Sequence, residues 1–354
     1  MTNKNQPRLF GIKYSNRDYT QADTWGKNQF NSSFPAALAC YMHSKGMHAV
    51  YIKADKSLNR KIEYISIEDA FGINPLSDNV YFSFESPYIP FQRYVVGSIP
   101  RNDLVIIDRR NDSCLSSFEI KLTALPDNST CDLGNEQYGS EIVIRPDTII
   151  YLACSIIKKY STKEKLAKKL NGIGNNIKDW TQAVNVLPFI ADIRNAIKEI
   201  VADKNISQQP IILQPVWKTE GKSPRLANNC LDIFIWSDFG MLNLFLPEEN
   251  SKLTNISRHT RSMIWLYKML WDYSIQGNFN GENIIDELSY NTKNDKAFST
   301  NGSKTHPIMT CPELSHPRIT KEAIKELILG GGQNLLSPER RFDAIIYNSP
   351  ELFD

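Results

Sequence analysis

The sequence has little that would commit it to thiolate, disulfide or membrane chemistry. Its six cysteines, Cys40, Cys114, Cys131, Cys154, Cys230 and Cys311, are scattered along 354 residues, and no two form a CxxC pair. With only five histidines and no HExxH, a zinc site is not expected. Scattered cysteines of this kind are expected as reduced thiols in a reducing compartment. No apolar run approaches the roughly 18 residues that a membrane span needs. Met1 to Arg8 is polar and lacks the apolar segment of a secretory signal. The expectation is a soluble, cytoplasmic protein. Charge of one sign is also missing: 41 Lys and Arg face 39 Asp and Glu, a formal net charge of +2. That balance does not exclude a polyanionic partner, because basic residues can line one cleft while acids occupy the outer faces. No GxSxG marks a serine nucleophile. The run Gly330-Gly331-Gly332 lacks the Lys-Ser/Thr of a phosphate loop and reads as a hinge after a helix.

What is present is ordinary globular material, 41% hydrophobic and 23% charged, enough to bury a sizeable core. We expect one large domain over residues 1–354, with a catalytic core over about 35–240 and a helical, loop-rich extension over 241–354. No internal repeat interrupts it. Ser32, Ser33 and Pro35 start a helix that Gly46 stops. His48 to Asp55, Val80 to Phe84, Asp103 to Asp108, Ser117 to Leu122 and Glu141 to Arg145 read as strands, with a hairpin turn over Arg109 to Ser113. Asp147 is expected to cap a helix over Thr148 to Tyr160, and a basic amphipathic helix follows over Lys163 to Leu170. Pro210 to Val216 and Leu231 to Trp236 read as later strands around a polar loop, Trp217 to Asn229. A core helix is expected from about Arg258 to Tyr273, and the Asn-, Ser- and Gly-rich stretch Asn278 to Lys304 reads as a mobile loop. The order predicts an α/β fold, a mixed central sheet flanked by helices.

The chemistry concentrates on two of these strands. Asp103 opens one, and Glu119 and Lys121 lie on the next, where period-two alternation gives them a common face. If the strands are antiparallel neighbours, two carboxylates and an ammonium converge. Adjacent carboxylates resist joint ionisation unless a cation lies between them, and magnesium takes such oxygen ligands beside water and phosphate. A bound magnesium would polarise a phosphodiester and lower the pKa of a water, with Lys121 neutralising charge that develops on the phosphate. A surface hairpin with a charged outer face would carry the same letters. Against that, Glu119 and Lys121 sit inside an apolar strand, where charge is costly without a purpose. Asp108, at the far end of the first strand, is the alternative first ligand. Pro126-Asp127 and Pro146-Asp147 have no ExK strand at a suitable distance; Glu85, at a strand end, could supply a further carboxylate but reads more simply as a solvated loop acid; His43 and His259 read as packing or surface histidines.

These residues also carry a resemblance. IPRNDLVIID…SSFEIKLTALPD resembles the active-site hairpin of type II restriction endonucleases with the PD-(D/E)xK core. Over most of its length the chain resembles the HindVP-like restriction enzymes, in WGKNQFNSSFPAALACYM, VWKTEGKSPRLANNCLDIFIWSDFGM and RSMIWLYKMLWDYS. The resemblance implies a Mg2+-dependent homodimer that cuts double-stranded DNA at a short palindrome, GRCGYC-type in relatives, leaving 5′-phosphate and 3′-hydroxyl ends. It assigns Asp103 as first acid, Glu119 as second and Lys121 as the lysine, with the Ile120 backbone carbonyl as a further metal ligand. The residue before Asp103 is Asn102 where the family pattern has Pro, and Pro100 stands two places earlier. Lys218, Lys222 and Arg225, in the polar loop, are the candidate DNA contacts, being residue types that read guanine edges. A structure-directed or nonspecific nuclease, or a non-cleaving DNA-binding module, are the competing functions.

Overall fold

The computed structural model describes residues 12, 14–16, 36, 39–40, 42–54, 60–121, 142–203, 217–219, 226–231, 234–236, 242, 256–290 and 298–300. At 50–54, 60–62, 121, 142–144, 217–219, 226–231, 234–236 and 298–300 the description is of the backbone.

The chain builds a hairpin, β1 (His48–Ala54) and β2 (Arg60–Ser66), and a short helix, α1 (Ile67–Phe71). Then come β3 (Val80–Pro87), β4 (Arg101–Asp108), β5 (Ser113–Lys121) and β6 (Ile142–Ile144). Helices α2 (Pro146–Lys159), α3 (Lys163–Lys169) and α4 (Ile190–Val201) follow. After them lie β7 (Trp217–Thr219), β8 (Leu226–Leu231) and β9 (Phe234–Trp236), α5 (Arg258–Gln276), α6 (Gly281–Glu287) and β10 (Phe298–Thr300).

The sheet that matters has the order β3-β4-β5-β9, antiparallel at each step. The mixed sheet expected from sequence is therefore narrower: among the described residues, the only parallel pairing at this sheet is a bridge from Ser15 to Phe82 on the β3 edge. For β4 and β5 the reason is the connection: the short turn after Asp108 can only return the chain antiparallel. Helices cover both faces. On one, Phe71 of α1 meets Phe118 with ring centroids 5.1 Å apart, and Ser116 donates to the Phe71 carbonyl at 3.0 Å. On the other, Val105 joins the large apolar cluster formed by the later helices.

That cluster is organised by α5, against which α2, α3, α4 and α6 all pack. Ser257 caps it by accepting the Thr260 N–H at 3.1 Å, and Gly277, at φ 87°, ends it in the left-handed conformation that glycine tolerates. Met263 to Tyr267, Met269 and Leu270 are buried, each large apolar side chain contributing about 1.5–3 kcal/mol by leaving water. Tyr267 donates to the Leu170 carbonyl at 2.6 Å and Trp265 to that of Leu288 at 3.0 Å, so neither polar tip is orphaned. No helix among the described residues is long and apolar enough to cross a membrane.

Several local expectations are corrected. Arg145, and not Asp147, is the cap residue of α2: Pro146 takes the first helical position, where its fixed φ is preorganised and its missing N–H costs nothing. Asp147 sits in the first turn, where a negative charge meets the positive end of the helix dipole. Buried on every side from Thr148 to Ile157, α2 has no solvated face over those residues. The stretch Asn278 to Lys304 contains α6, capped by Asn280 and burying Ile284 and Ile285, and β10, which pairs with β6. Phe279, Ile284, Ile285 and Leu288 are all buried and anchor a segment whose composition reads as loop. Likewise Trp217–Thr219 and Leu226–Leu231, largely within the expected polar loop, pair as antiparallel strands, and of the expected strand Leu231 to Trp236 the part Phe234–Trp236 forms β9. The expected strand Pro210 to Val216 lies outside the described residues. The described cysteines Cys40, Cys114 and Cys154 are free thiols, and burial pushes that of Cys40 up to about 12, which keeps it inert.

Candidate active site

Strand β4 is apolar and β-branched at its centre, which fixes it between β3 and β5 and carries Asp103 to its open end. The β4–β5 register runs Leu104 opposite Phe118, Val105 opposite Ser117 and Ile106 opposite Ser116. A shift follows between Ile106 and Ile107, where Leu115 is the extra residue of a bulge. The ladder ends at Leu104–Phe118; one step further, the register would set Asp103 opposite Glu119, on one face of the sheet. The flanking pairs Phe84–Leu104 and Ser86–Asn102 set Glu85 opposite Asp103, and Glu119 pairs with Trp236. Glu85, Asp103, Glu119 and Trp236 thus form one row across four strands. Glu85 belongs to β3, half-buried and at φ 48°, and is not the loop residue expected.

The two acids are held from different directions. Asp103 Oδ2 accepts the backbone N–H of Ile120 at 2.7 Å. Glu119 Oε1 accepts from the Thr148 hydroxyl at 3.0 Å, from the first turn of α2. Glu119 is only 8% exposed and Thr148 3%, and a carboxylate so enclosed requires such partners. One turn along α2, Tyr151 donates to the Ser117 carbonyl at 3.4 Å, a longer contact that ties the same helix to the same strand. In an extended strand a residue's N–H and C=O point the same way. The Ile120 carbonyl therefore faces β4 on the side of the Asp103 carboxylate.

Asp108 occupies a different place. It ends β4 opposite Val80 and Ser113. Arg110 clamps both of its oxygens, Nε to Oδ1 at 3.0 Å and Nη2 to Oδ2 at 2.5 Å, and the Arg110 backbone N–H adds a third bond at 2.9 Å. Those hydrogen bonds hold its carboxyl down at about 2. Asp108 works as the anchor of the β4–β5 turn. Asn102, beside Asp103, is 1% exposed, and its side-chain amide has no hydrogen-bond partner among the described residues.

Lys121 is the last residue of β5, and its backbone pairs with Phe234; its side chain lies outside the described residues. Lys218 falls in β7, also described by its backbone, and Lys222 and Arg225 lie outside the described residues. Among the described residues no three His, Cys, Asp or Glu side chains form a preassembled metal cage. Two carboxylates and a backbone carbonyl nevertheless make a hard oxygen donor set, the type that magnesium accepts while keeping several waters. Sequence reading missed Thr148, which lies inside an apolar helical run with nothing in its spacing to mark it.

Acids at the end of an antiparallel hairpin, backed by a buried helix, are a donor set that could hold a hard cation. Comparison with known proteins defines the class. A profile of the HindVP restriction endonuclease family matches residues 25–353. Over 352 residues the chain is 48% identical to a "Probable type II restriction enzyme HindVP" of Haemophilus influenzae, covering 98% of this chain and 95% of that one. It is 43% identical over 356 residues to the "Type II restriction enzyme HgiDI" of Herpetosiphon aurantiacus, covering 99% and 98%. No solved structure matches. The chain belongs to the HindVP restriction endonuclease family.

Proposed function

We propose that this protein is a type II restriction endonuclease that hydrolyses both strands of DNA at a short palindrome, GRCGYC-type, in a magnesium-dependent reaction. The observation that carries the reading is that Asp103, on β4, accepts the backbone N–H of Ile120, the residue next to Glu119 on β5, so that both acids lie where these strands end their pairing. Asp103, Glu119 and that carbonyl would hold the ion, which would polarise the scissile phosphodiester and lower the pKa of an attacking water. The protein's own part is preorganisation: Ile120 N–H fixes Asp103, and Thr148 fixes Glu119, before DNA arrives. Lys121, at the end of the same strand, supplies the cation beside the attacked phosphate. Cleavage leaves 5′-phosphate and 3′-hydroxyl ends. Of the two candidate first ligands, Asp103 is favoured because Asp108 is already clamped by Arg110 at the opposite end of β4.

A palindromic target read by one chain type calls for two-fold symmetry, hence a homodimer acting on cytoplasmic DNA. Lys218, Lys222 and Arg225 are assigned to the DNA interface, on or beside the β7–β8 hairpin. The PD-(D/E)xK core and the single domain over residues 1–354 belong to the same proposal. The test is digestion of a sequenced plasmid with magnesium and with chelator. Discrete, mappable fragments that vanish with chelator are expected. A smear would make the protein a nonspecific nuclease, and a mobility shift without cutting a DNA-binding module.

A further inference from the structure

We propose that Thr148 is a positioning residue for the cation site, its hydroxyl setting the direction in which Glu119 presents its carboxylate to a divalent ion. This rests on the reading of Glu119 as a metal ligand and goes beyond it, because Thr148 lies on a separate element and would touch neither metal nor DNA.

Glutamate has three side-chain torsions, and fixing them on a bare strand costs rotamer entropy each time the site assembles. Here the cost is met in advance. Glu119 leaves β5 toward α2, and its Oε1 accepts from Thr148 Oγ1 at 3.0 Å with both residues buried. Away from water such a bond is stronger and its geometry better defined than at a surface. Threonine is branched at Cβ and stiff at χ1, so the donor does not wander. The helix behind it is fixed as well. Tyr151, one turn on, reaches the carbonyl of Ser117, two residues back along β5, so α2 and β5 are joined at two matched points. Gly281 of α6 lets Ile150 approach so closely that an added Cβ would lie 2.7 Å from its Cγ1. Thr148 also occupies the first turn of α2, whose positive dipole end favours a carboxylate there. Packing alone does not require the hydroxyl, since valine would fill nearly the same volume.

Hydrogen-bonding partners of metal-ligating side chains are typically worth on the order of 10–100-fold in metal affinity. The test titrates Mn2+ alone into the full-length protein without DNA, following the free-ion electron paramagnetic resonance signal, for wild type, Thr148→Val, Thr148→Ala, Thr148→Ser and Glu119→Gln. Magnesium titrations of plasmid cleavage run alongside, and melting curves in metal-free buffer report folding. Thr148→Val and Thr148→Ala should bind Mn2+ about 10-fold or more weakly and need correspondingly more magnesium, while Thr148→Ser stays near wild type. The Ser and Ala variants differ by one hydroxyl, so the comparison holds even if valine disturbs the fold. Wild-type Mn2+ affinity in Thr148→Ala, or equal losses in Ser and Ala, would overturn the proposal. If Glu119→Gln binds Mn2+ like wild type, the metal assignment itself fails and the role of Thr148 goes with it. If Glu119→Gln weakens binding and Thr148→Ala does not, only the role of Thr148 is lost.

Discussion

The carboxylate of Asp103 takes a backbone hydrogen bond that would otherwise belong to the sheet. Ile120 N–H points toward β4, and a continued ladder would give it the carbonyl of Asn102. It donates instead to Asp103 Oδ2 at 2.7 Å, just past the last ladder pair, Leu104–Phe118. The two strands part at this point, and the acid sits in the fork. One side chain thus closes the ladder and opens the site, which couples the stability of the hairpin to the placement of the acid.

That coupling separates two variants. Asp103→Asn keeps an oxygen able to accept from Ile120 and should melt near wild type. It removes the charge, so cleavage should fall by about 10²-fold or more, the scale seen when one preorganised group is lost. Asp103→Ala removes the acceptor too and should lower the melting temperature as well as the rate. Calorimetry beside single-turnover cleavage checks both, and full activity in Asp103→Asn would dismiss it as the first acid.

Asp108 predicts the reverse pattern. Its carboxyl is held at about 2 by Arg110, below the ordinary aspartate value of about 3.9. A group lowered on folding stabilises the protein above its unfolded value, and that contribution fades as pH falls toward its folded value. The melting temperature of wild type should therefore exceed that of Asp108→Asn at pH 5, with the gap closing as pH drops from about 4 toward 2. Cleavage at neutral pH and its magnesium dependence should be unchanged in Asp108→Asn. A variant that folds normally and needs much more magnesium would return Asp108 to the metal site.

How far the sequence discloses this arrangement follows from where its information lies. The β4–β5 hairpin was legible because strand alternation and local turn chemistry are written in adjacent residues. The core helix α5 was legible for the same reason, its apolar residues recurring over five turns. Thr148 was not, since its role depends on α2 docking against β5, a contact between residues 29 apart. Nor was α6: Ile284 and Ile285 are buried in a cluster built around α5, and Gly281 packs against Ile150 of α2. Local pattern yields elements; which side chains meet across elements is decided by packing that no window of sequence contains.

The α2–α6 contact can be tested directly. A Cβ at Gly281 would meet Ile150 Cγ1 at 2.7 Å and Cδ1 at 2.8 Å. Overpacking of this kind typically costs about 1–3 kcal/mol, so Gly281→Ala should lower the melting temperature by several degrees. Because α2 carries Thr148, the cleavage rate at limiting magnesium should fall more than at saturating magnesium. Gly281→Ala combined with Ile150→Val, which removes one methyl from the crowded side, should recover part of both. No recovery in the double variant would mean that the clash is absorbed elsewhere.

Lys121 separates chemistry from metal binding. Lys121→Ala leaves Asp103, Glu119 and the Ile120 carbonyl in place and deletes the cation proposed beside the attacked phosphate. DNA binding in calcium should survive while cleavage falls by about 10² to 10⁴-fold, the range typical of a lost acid–base or charge-stabilising group. Glu119→Ala should lose cleavage by another route, since removing a ligand, and the partner of Thr148, weakens the hold on the ion. The two are told apart by a magnesium titration. Raising magnesium, or substituting manganese, should restore part of the rate to Glu119→Ala by mass action. It should do little for Lys121→Ala, whose deficit lies after the ion is bound. Wild-type cleavage by Lys121→Ala would mean that this hairpin is not the active site.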